Sequence, residues 1–358
     1  MKRPSLGEIE AAIGRHRFLR GAAEELDVSE STLRLWRKDI DPALKSAMES
    51  VGTHLVPSVA WIKTKGLSVL LRPPAADPID IVERVKEVFA RIEPLAPRPS
   101  LEQGDEDLIT LYPLADVHLG MLSWGEETGE DYDTNIAVRR LQCGMAACVA
   151  AAPAARTAIV LNAGDFLHAN DDTNSTPASK HALDTDSRHW RTLDAAVQVT
   201  VDLIEMALTK HETVIYRALR GNHDPSAPPV LTFALAQRYR NEPRVIIEKN
   251  PSDFFVYEFG KVMITAHHGD KAKPERLVMF FADDHALIWG RTKHRYLWTG
   301  HLHHHKSQDI GGMKWEQLRA VSARDAYASS HGYSAKSEMQ CITYHRERGE
   351  VQRASVGL

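Results

Sequence analysis

Cysteine is scarce in this chain: three among 358 residues, at Cys143, Cys148 and Cys341. An odd number without metal-ligand spacing argues against both a disulfide framework and a thiolate cluster. Cys143 and Cys148 fall in an alanine-rich helical segment and read as small buried thiols of a reduced, cytoplasmic protein. No apolar run approaches the ~18–20 residues needed to span a bilayer. Met1-Lys2-Arg3-Pro4-Ser5 leads into a polar helical pattern rather than a signal-peptide core, so no membrane is expected. Charge of one sign is also lacking. The formal net charge of −4 gives no overall pull toward nucleic acid or an anionic membrane, so any basic surface must be local. Neither a glycine-rich nucleotide loop nor a Ser-His-Asp arrangement is present.

What is present is histidine, 18 in all, crowded into a few short fragments. Asp116-Val117-His118, Gly164-Asp165, Gly221-Asn222-His223-Asp224, His267-His268-Gly269-Asp270 and Gly300-His301-Leu302-His303 each follow an apolar, strand-like stretch. Residues i and i+2 on a strand share a side, so Asp116 with His118, and His301 with His303, are expected to aim two ligands at one point. Five such fragments point to a metal site with ligands enough for two ions. Carboxylate, imidazole and one amide, without thiolate, suit Mn, Fe, Zn or Co.

The 43% hydrophobic and 26% charged content is that of an ordinary globular chain, long enough for one large domain and a small one. Residues 1–50 read as helical. Leu19 to Lys38 resembles a helix-turn-helix, with Ala22, Ala23 and Leu26 on one helix, Val28 in the turn, Ser29 as cap, and Leu33 and Trp36 packing inward. Its outer face would be Glu30, Ser31, Arg34, Arg37 and Lys38. Residues 1–40 carry eight Lys/Arg against seven Asp/Glu, so a helical bundle for homo-oligomerisation competes with nucleic-acid contact. Residues 51–107 read as connector: a hairpin turning at Gly66, a helix over 79–93, and a linker from Pro94 to Asp107. From Leu108 strands and helices alternate. Strands are expected near 108–114, 158–163, 213–219, 254–259, 262–267 and 296–299, helices over 134–152, 187–210 and 229–240, and hairpins at Gly260-Lys261 and 339–355. The fold class is α/β, an αββα sandwich of mixed sheets with ligands on the loops at one edge, behind a small helical N-terminal domain.

On these fragments, in this order, residues 108–305 resemble the calcineurin-like metallophosphoesterases. Gly164-Asp165-Phe166-Leu167-His168 is most similar to the family's nucleases that process DNA double-strand breaks, and the helix-turn-helix resembles phage and prophage proteins. The resemblance implies a first ion on Asp116, His118, Asp165 and His303, and a second on Asp165, Asn222, His268 and His301. It implies that such a pair would supply the nucleophile at neutral pH, a metal-bridging hydroxide made from water. It also implies His223 as the acid for the leaving oxygen, Asp224 as its orienting partner, and His168 as a substrate contact. His268 is preferred to His267 because it directly precedes Gly269; His294, His304 and His305 read as rim residues or as phosphate contacts. The expected activity is a Mn-dependent DNA nuclease or phosphodiesterase. Lys271, Lys273, Arg276, Arg291, Lys293, Arg295 and Lys306 supply basic groups near the site. The alternative is a generic phosphomonoesterase or protein or small-molecule phosphatase.

Overall fold

Alternate residues of each central strand face different cores, and this alternation generates the architecture. The computed structural model describes residues 104–358 apart from 333, together with 9, 12, 15–16, 19–29, 32–33, 60–64 and 67–71. The chain divides into two compact units, Met1–Arg84 and Val85–Leu358.

In the first unit, helix α1 (Leu19–Glu25) buries Ala22 and Ala23 with Ile9, Ala12 and Leu33, and Leu26 and Val28 pack against them. Ser29 Oγ accepts the Thr32 N–H at 3.1 Å, the bond of a helix start. Arg34 to Lys38 lie outside the described residues, as do the expected 79–93 helix and most of the 94–107 linker. Strands β1 (Ala60–Thr64) and β2 (Leu67–Leu71) pair antiparallel, with Thr64 opposite Leu67.

The second unit has two sheets. Parallel strands β3 (Asp105–Leu114), β4 (Ala155–Asn162) and β5 (Thr213–Ala218) form the middle of a six-stranded sheet ordered β13-β12-β3-β4-β5-β6. Its outer members are β6 (Val245–Ile247), β12 (Glu338–His345) and β13 (Gly349–Gly357), with β12 antiparallel to β3. The five-stranded sheet is ordered β10-β11-β9-β8-β7, from β7 (Phe255–Phe259), β8 (Val262–Ala266), β9 (His294–Thr299), β10 (Lys306–Ile310) and β11 (Met313–Gln317). Ile109, Leu111, Ile159 and Leu161 meet Ile264, Tyr296 and Trp298 between the sheets. Tyr112, Leu114, Val160 and Tyr216 point the other way. They pack on helices α3 (Thr134–Ala151), α4 (His189–Leu208) and α5 (Ala227–Arg238). Met263, Leu297 and Trp315 face α6 (Pro274–Asp284) and α7 (Ala286–Arg291). The result is the expected α/β/β/α layering.

Every expected strand and helix beyond Leu108 is there, with β3 beginning earlier, at Asp105. Missing from the expectation were the short helices α2 (Gly125–Thr128) and α8 (Ala326–Ser330), together with β6, β10, β11, α6 and α7. Cys148 and Cys341 are buried, whereas Cys143, expected to be buried, is exposed. No helix among the described residues is long and apolar enough to cross a membrane.

Candidate metal centre

Parallel pairing decides where the site lies. Leu111 is opposite Ile159, and Ile159 opposite Ile215, so β3, β4 and β5 end together. Ala266 is opposite Trp298, so β8 and β9 end together as well. The five fragments continue from these ends, and their side chains converge. Asp116, His118 and His303 each offer an atom within 4.8 Å of the others, and so do Asp165, His268 and His301.

The convergence does not come from strand alternation. β3 stops at Leu114 and β9 at Thr299, short of the paired residues. Asp116 (φ 50°), His118 (φ 47°), Asp165 (φ 52°), His301 (φ 74°) and His303 (φ 59°) instead adopt the left-handed region. Asp and His enter it more readily than most side chains, yet each such residue costs about 1 kcal/mol or more. His301 and His303 accordingly diverge to different groups, correcting the expectation that both aim at one point. Backbone bonds hold the turned loops together: Asp116 Oδ1 and Oδ2 accept the His301 N–H at 3.0 and 2.9 Å, and Asp165 Oδ1 accepts the His223 N–H at 2.8 Å.

The fragment glycines are required for close approach. A Cβ on Gly164 would sit 2.5 Å from His268 Nδ1, one on Gly300 2.6 Å from Asp116 Oδ2, and one on Gly221 would overlap Asp165 Oδ1 and its backbone nitrogen.

The donor set fits divalent cations. His268 Nδ1 faces the Ala163 carbonyl at 3.0 Å and, opposite an acceptor, carries the proton. In the neutral ring Nε2 then presents a lone pair to Asp165 Oδ2 at 3.1 Å and Asn222 Oδ1 at 3.2 Å, an arrangement that needs a positive charge. Without an ion a proton serves. Burial lowers the His268 pKa, but Asp165 overrides it and holds the ring protonated to about 10. The same repeats next door, where His118 Nε2 faces His303 Nε2 at 3.1 Å, and His303 Nε2 lies 3.5 Å from Asp116 Oδ1. Burial, then the neighbouring His223, His303, His168 and His268, keep His118 neutral, the form that binds metal. Asp116, Asp165 and His268 are at most 1% exposed, while the His303 side chain is 38% exposed and marks the mouth.

His223, half-buried, has Nδ1 2.8 Å from the His168 carbonyl, so Nδ1 carries hydrogen and Nε2 is left free. Asp224 corrects an expectation. Its carboxylate accepts the Leu167 N–H at 2.9 Å and the Gly221 N–H at 3.2 Å, so it fixes two loops rather than the His223 ring. Burial, then Asp165, push its pKa up to about 7. His168 is 2% exposed, its ring stacked on His223 with centroids 5.3 Å apart and Nδ1 3.3 Å from His118 Nδ1. Buried there, it supports two other histidines rather than lining an open surface. His267 turns away, its ring against Phe254 and its Nδ1 accepting the Gly269 N–H at 2.9 Å.

The three expected rim histidines stay outside the cluster: His304 bonds the Leu302 carbonyl, His305 bonds Glu316, and His294 bonds the Glu347 carbonyl. Arg291 is paired with Glu258, and Arg295 with the Trp289 and Thr292 carbonyls. Lys271, Lys273 and Lys306 do line a cleft of about 440 Å³ beside Gly269, Gly300 and Leu302. Sequence reasoning missed Tyr132, whose OH bonds the Val117 carbonyl at 2.6 Å between two site residues.

No protein-family model matches the chain, and no curated protein matches it. Among solved structures, a conserved uncharacterized protein from Streptococcus pneumoniae TIGR4, described as a predicted phosphoesterase, is similar at 12% identity, over 70% of this chain and 98% of that one, with a TM-score of 0.29. An archaeal phosphodiesterase is similar at 10% identity, over 70% and 99%, with a TM-score of 0.36. Vps29 of Entamoeba histolytica complexed with zinc is similar at 12% identity, over 69% and 98%, with a TM-score of 0.30.

Proposed function

We propose that the chain is a two-metal phosphoester hydrolase acting on DNA. The observation that carries this is the pair of convergent clusters, in which imidazole lone pairs and buried carboxylates face one another and call for cations. Asp116, His118, Asp165 and His303 would hold one divalent ion, and Asp165, Asn222, His268 and His301 the other. A nitrogen-rich set favours Mn, Fe, Zn or Co over Mg, with Mn our first choice. When bound, such a pair supplies a nucleophile at neutral pH and neutralises charge on the phosphate oxygens.

The protein's own groups do the rest. His223 keeps Nδ1–H on the His168 carbonyl, which leaves Nε2 to hold a proton and deliver it to the leaving oxygen. Asp224 fixes the loop bearing Asn222 and His223 through Gly221 and Leu167. The bonds from the His301 N–H to Asp116 tie the two sheets' loops, so the phosphate meets groups already in place.

DNA as substrate is supported by the lysine-lined cleft beside the centre and by the helix-turn-helix-like N-terminal segment. The test is Mn²⁺-dependent cleavage of labelled single- and double-stranded DNA, run beside a phosphomonoester. Strand cleavage by full-length protein, abolished by chelator, is expected. Phosphate release from the monoester with both DNAs intact would replace this reading with a phosphatase.

A further inference from the structure

The turn that follows Asp116-Val117-His118 carries an unusual surface. Leu122 is 48% exposed, Trp124 61%, Trp190 78% and Tyr327 59%, whereas Trp298 and Trp315 are buried. Hydrogen bonds gather these residues on one lip of the centre. The Met121 N–H bonds the His118 carbonyl at 3.0 Å, and Ser123 pairs with Tyr132, whose OH reaches Val117. Ser123 Oγ donates to the Arg324 carbonyl at 2.8 Å, and the Ser322 N–H bonds the Asp116 carbonyl at 3.2 Å, which brings in the short helix α8 (Ala326–Ser330) with Tyr327. The Leu122 N–H bonds the Asp184 carbonyl and the Asp186 N–H the Gly120 carbonyl, both at 3.0 Å. Thr192, two residues after Trp190, packs directly on Gly120.

We propose that this lip is a stacking platform for unpaired bases of a strand whose phosphate lies at the metal centre. The inference rests on the nucleic-acid reading above and narrows the substrate to single-stranded or frayed DNA. Large aromatic faces left open beside a phosphoesterase centre match what bases offer, since every base has a π-face and stacking tolerates sequence. The charges agree. Arg188 and Arg191 flank Trp190 in sequence, are exposed, and have no carboxylate partner among the described residues, which suits the strand's phosphates. Glu126 and Glu127 follow Trp124, so that end of the lip repels backbone and leaves the uncharged base as its partner. A duplex keeps its bases stacked on each other and cannot offer these faces.

The experiment titrates Mn²⁺-loaded full-length protein with two strands of equal length. Both have slowly cleaved phosphorothioate linkages, one is oligothymidine and the other abasic; affinity is read from the anisotropy of an end-labelled strand, with tryptophan fluorescence recorded beside it. Oligothymidine should bind at least ~10-fold more tightly and quench the signal. In Trp124→Ala/Trp190→Ala the gap should shrink to within about twofold, with the melting temperature checked to show a folded protein. Equal affinities in the wild type, or a gap that survives the double substitution, would overturn the platform while leaving nuclease activity standing. Failure of the wild type to bind or cleave any strand would overturn the nucleic-acid reading and the platform together. Self-association by light scattering that the double substitution abolishes would assign the lip to a second copy of the chain.

Discussion

Replacing Gly221 by alanine tests how tightly the centre is built. Gly221 has no left-handed backbone to excuse it, so its requirement is purely steric. The added Cβ would overlap both Asp165 Oδ1 and the Asp165 backbone nitrogen. Neither can give: Oδ1 is held by the His223 N–H at 2.8 Å, Oδ2 lies 3.1 Å from His268, and the nitrogen belongs to the main chain. Ordinary carbon contact begins near 3.4 Å, so the loop carrying Asn222 and His223 must retreat by more than an ångström. A misplacement of ~1 Å typically costs on the order of 10²-fold in rate. Overpacking should also lower stability by about 1–3 kcal/mol. The measurements are metal content of the purified protein, turnover of a chromogenic phosphodiester in Mn²⁺, and thermal unfolding. Gly290→Ala is the matched control, because a Cβ there meets nothing within 4 Å inside α7, and relief from glycine should add ~0.5–1 kcal/mol. Wild-type metal content and turnover in Gly221→Ala would refute the close-approach reasoning.

Asp165→Asn removes the charge that faces His268 and should cost both metal stoichiometry and nearly all turnover; full activity in excess chelator would sink the two-metal reading. His223→Ala should keep both metals and lose roughly 10²-fold or more in rate with alkyl leaving groups, but much less with nitrophenolate, which leaves without a proton. A metal-free variant would mean His223 is a ligand. His211 sets a pH dependence away from the centre. Burial lowers its pKa to about 4, with Tyr112 OH at 2.8 Å from Nε2 and the Ala155 carbonyl at 2.7 Å from Nδ1. The unfolded chain therefore takes up this proton first, so stability is full above about pH 6.5 and falls as pH drops toward 4, by up to ~3 kcal/mol. Equilibrium denaturation across that range should show a slope that His211→Gln reduces; an unchanged slope would refute the assignment.

Much of the layering was legible in the sequence because Ile109/Leu111 and Tyr112/Leu114 alternate between two dry faces, a pattern local to one strand. β10 escaped notice because Lys306-Ser307-Gln308-Asp309 is polar throughout, being an exposed edge. β6 is only three residues long, and α6 begins inside a basic stretch that reads as surface. The order of the site fragments was legible too, but not the roles within them. Asp224 looks like a partner for the adjacent His223, yet long-range bonds to Leu167 and Gly221 claim its carboxylate. His168 looks like a surface reader until the bridge between Leu119 and Leu167 draws it under His118. The exposure of Trp124 and Trp190 had no sequence signal at all, since a tryptophan's default reading is core.

The place of β12 in the six-stranded sheet bears on how the chain is made. β3 delivers Asp116, yet one of its edges is covered only by β12, which follows every residue of the centre in the chain. During synthesis β4 can pair with β3 early, while the other edge stays open until residues 338–345 emerge. An unpaired strand edge is a template for wrong partners, and long-range pairing of this kind is slow. A chain that has emerged only as far as His303 would therefore carry the ligands that follow β3, β4 and β5 on a sheet still open beside β3, which makes the β12–β13 hairpin the step that seals this sheet against aggregation.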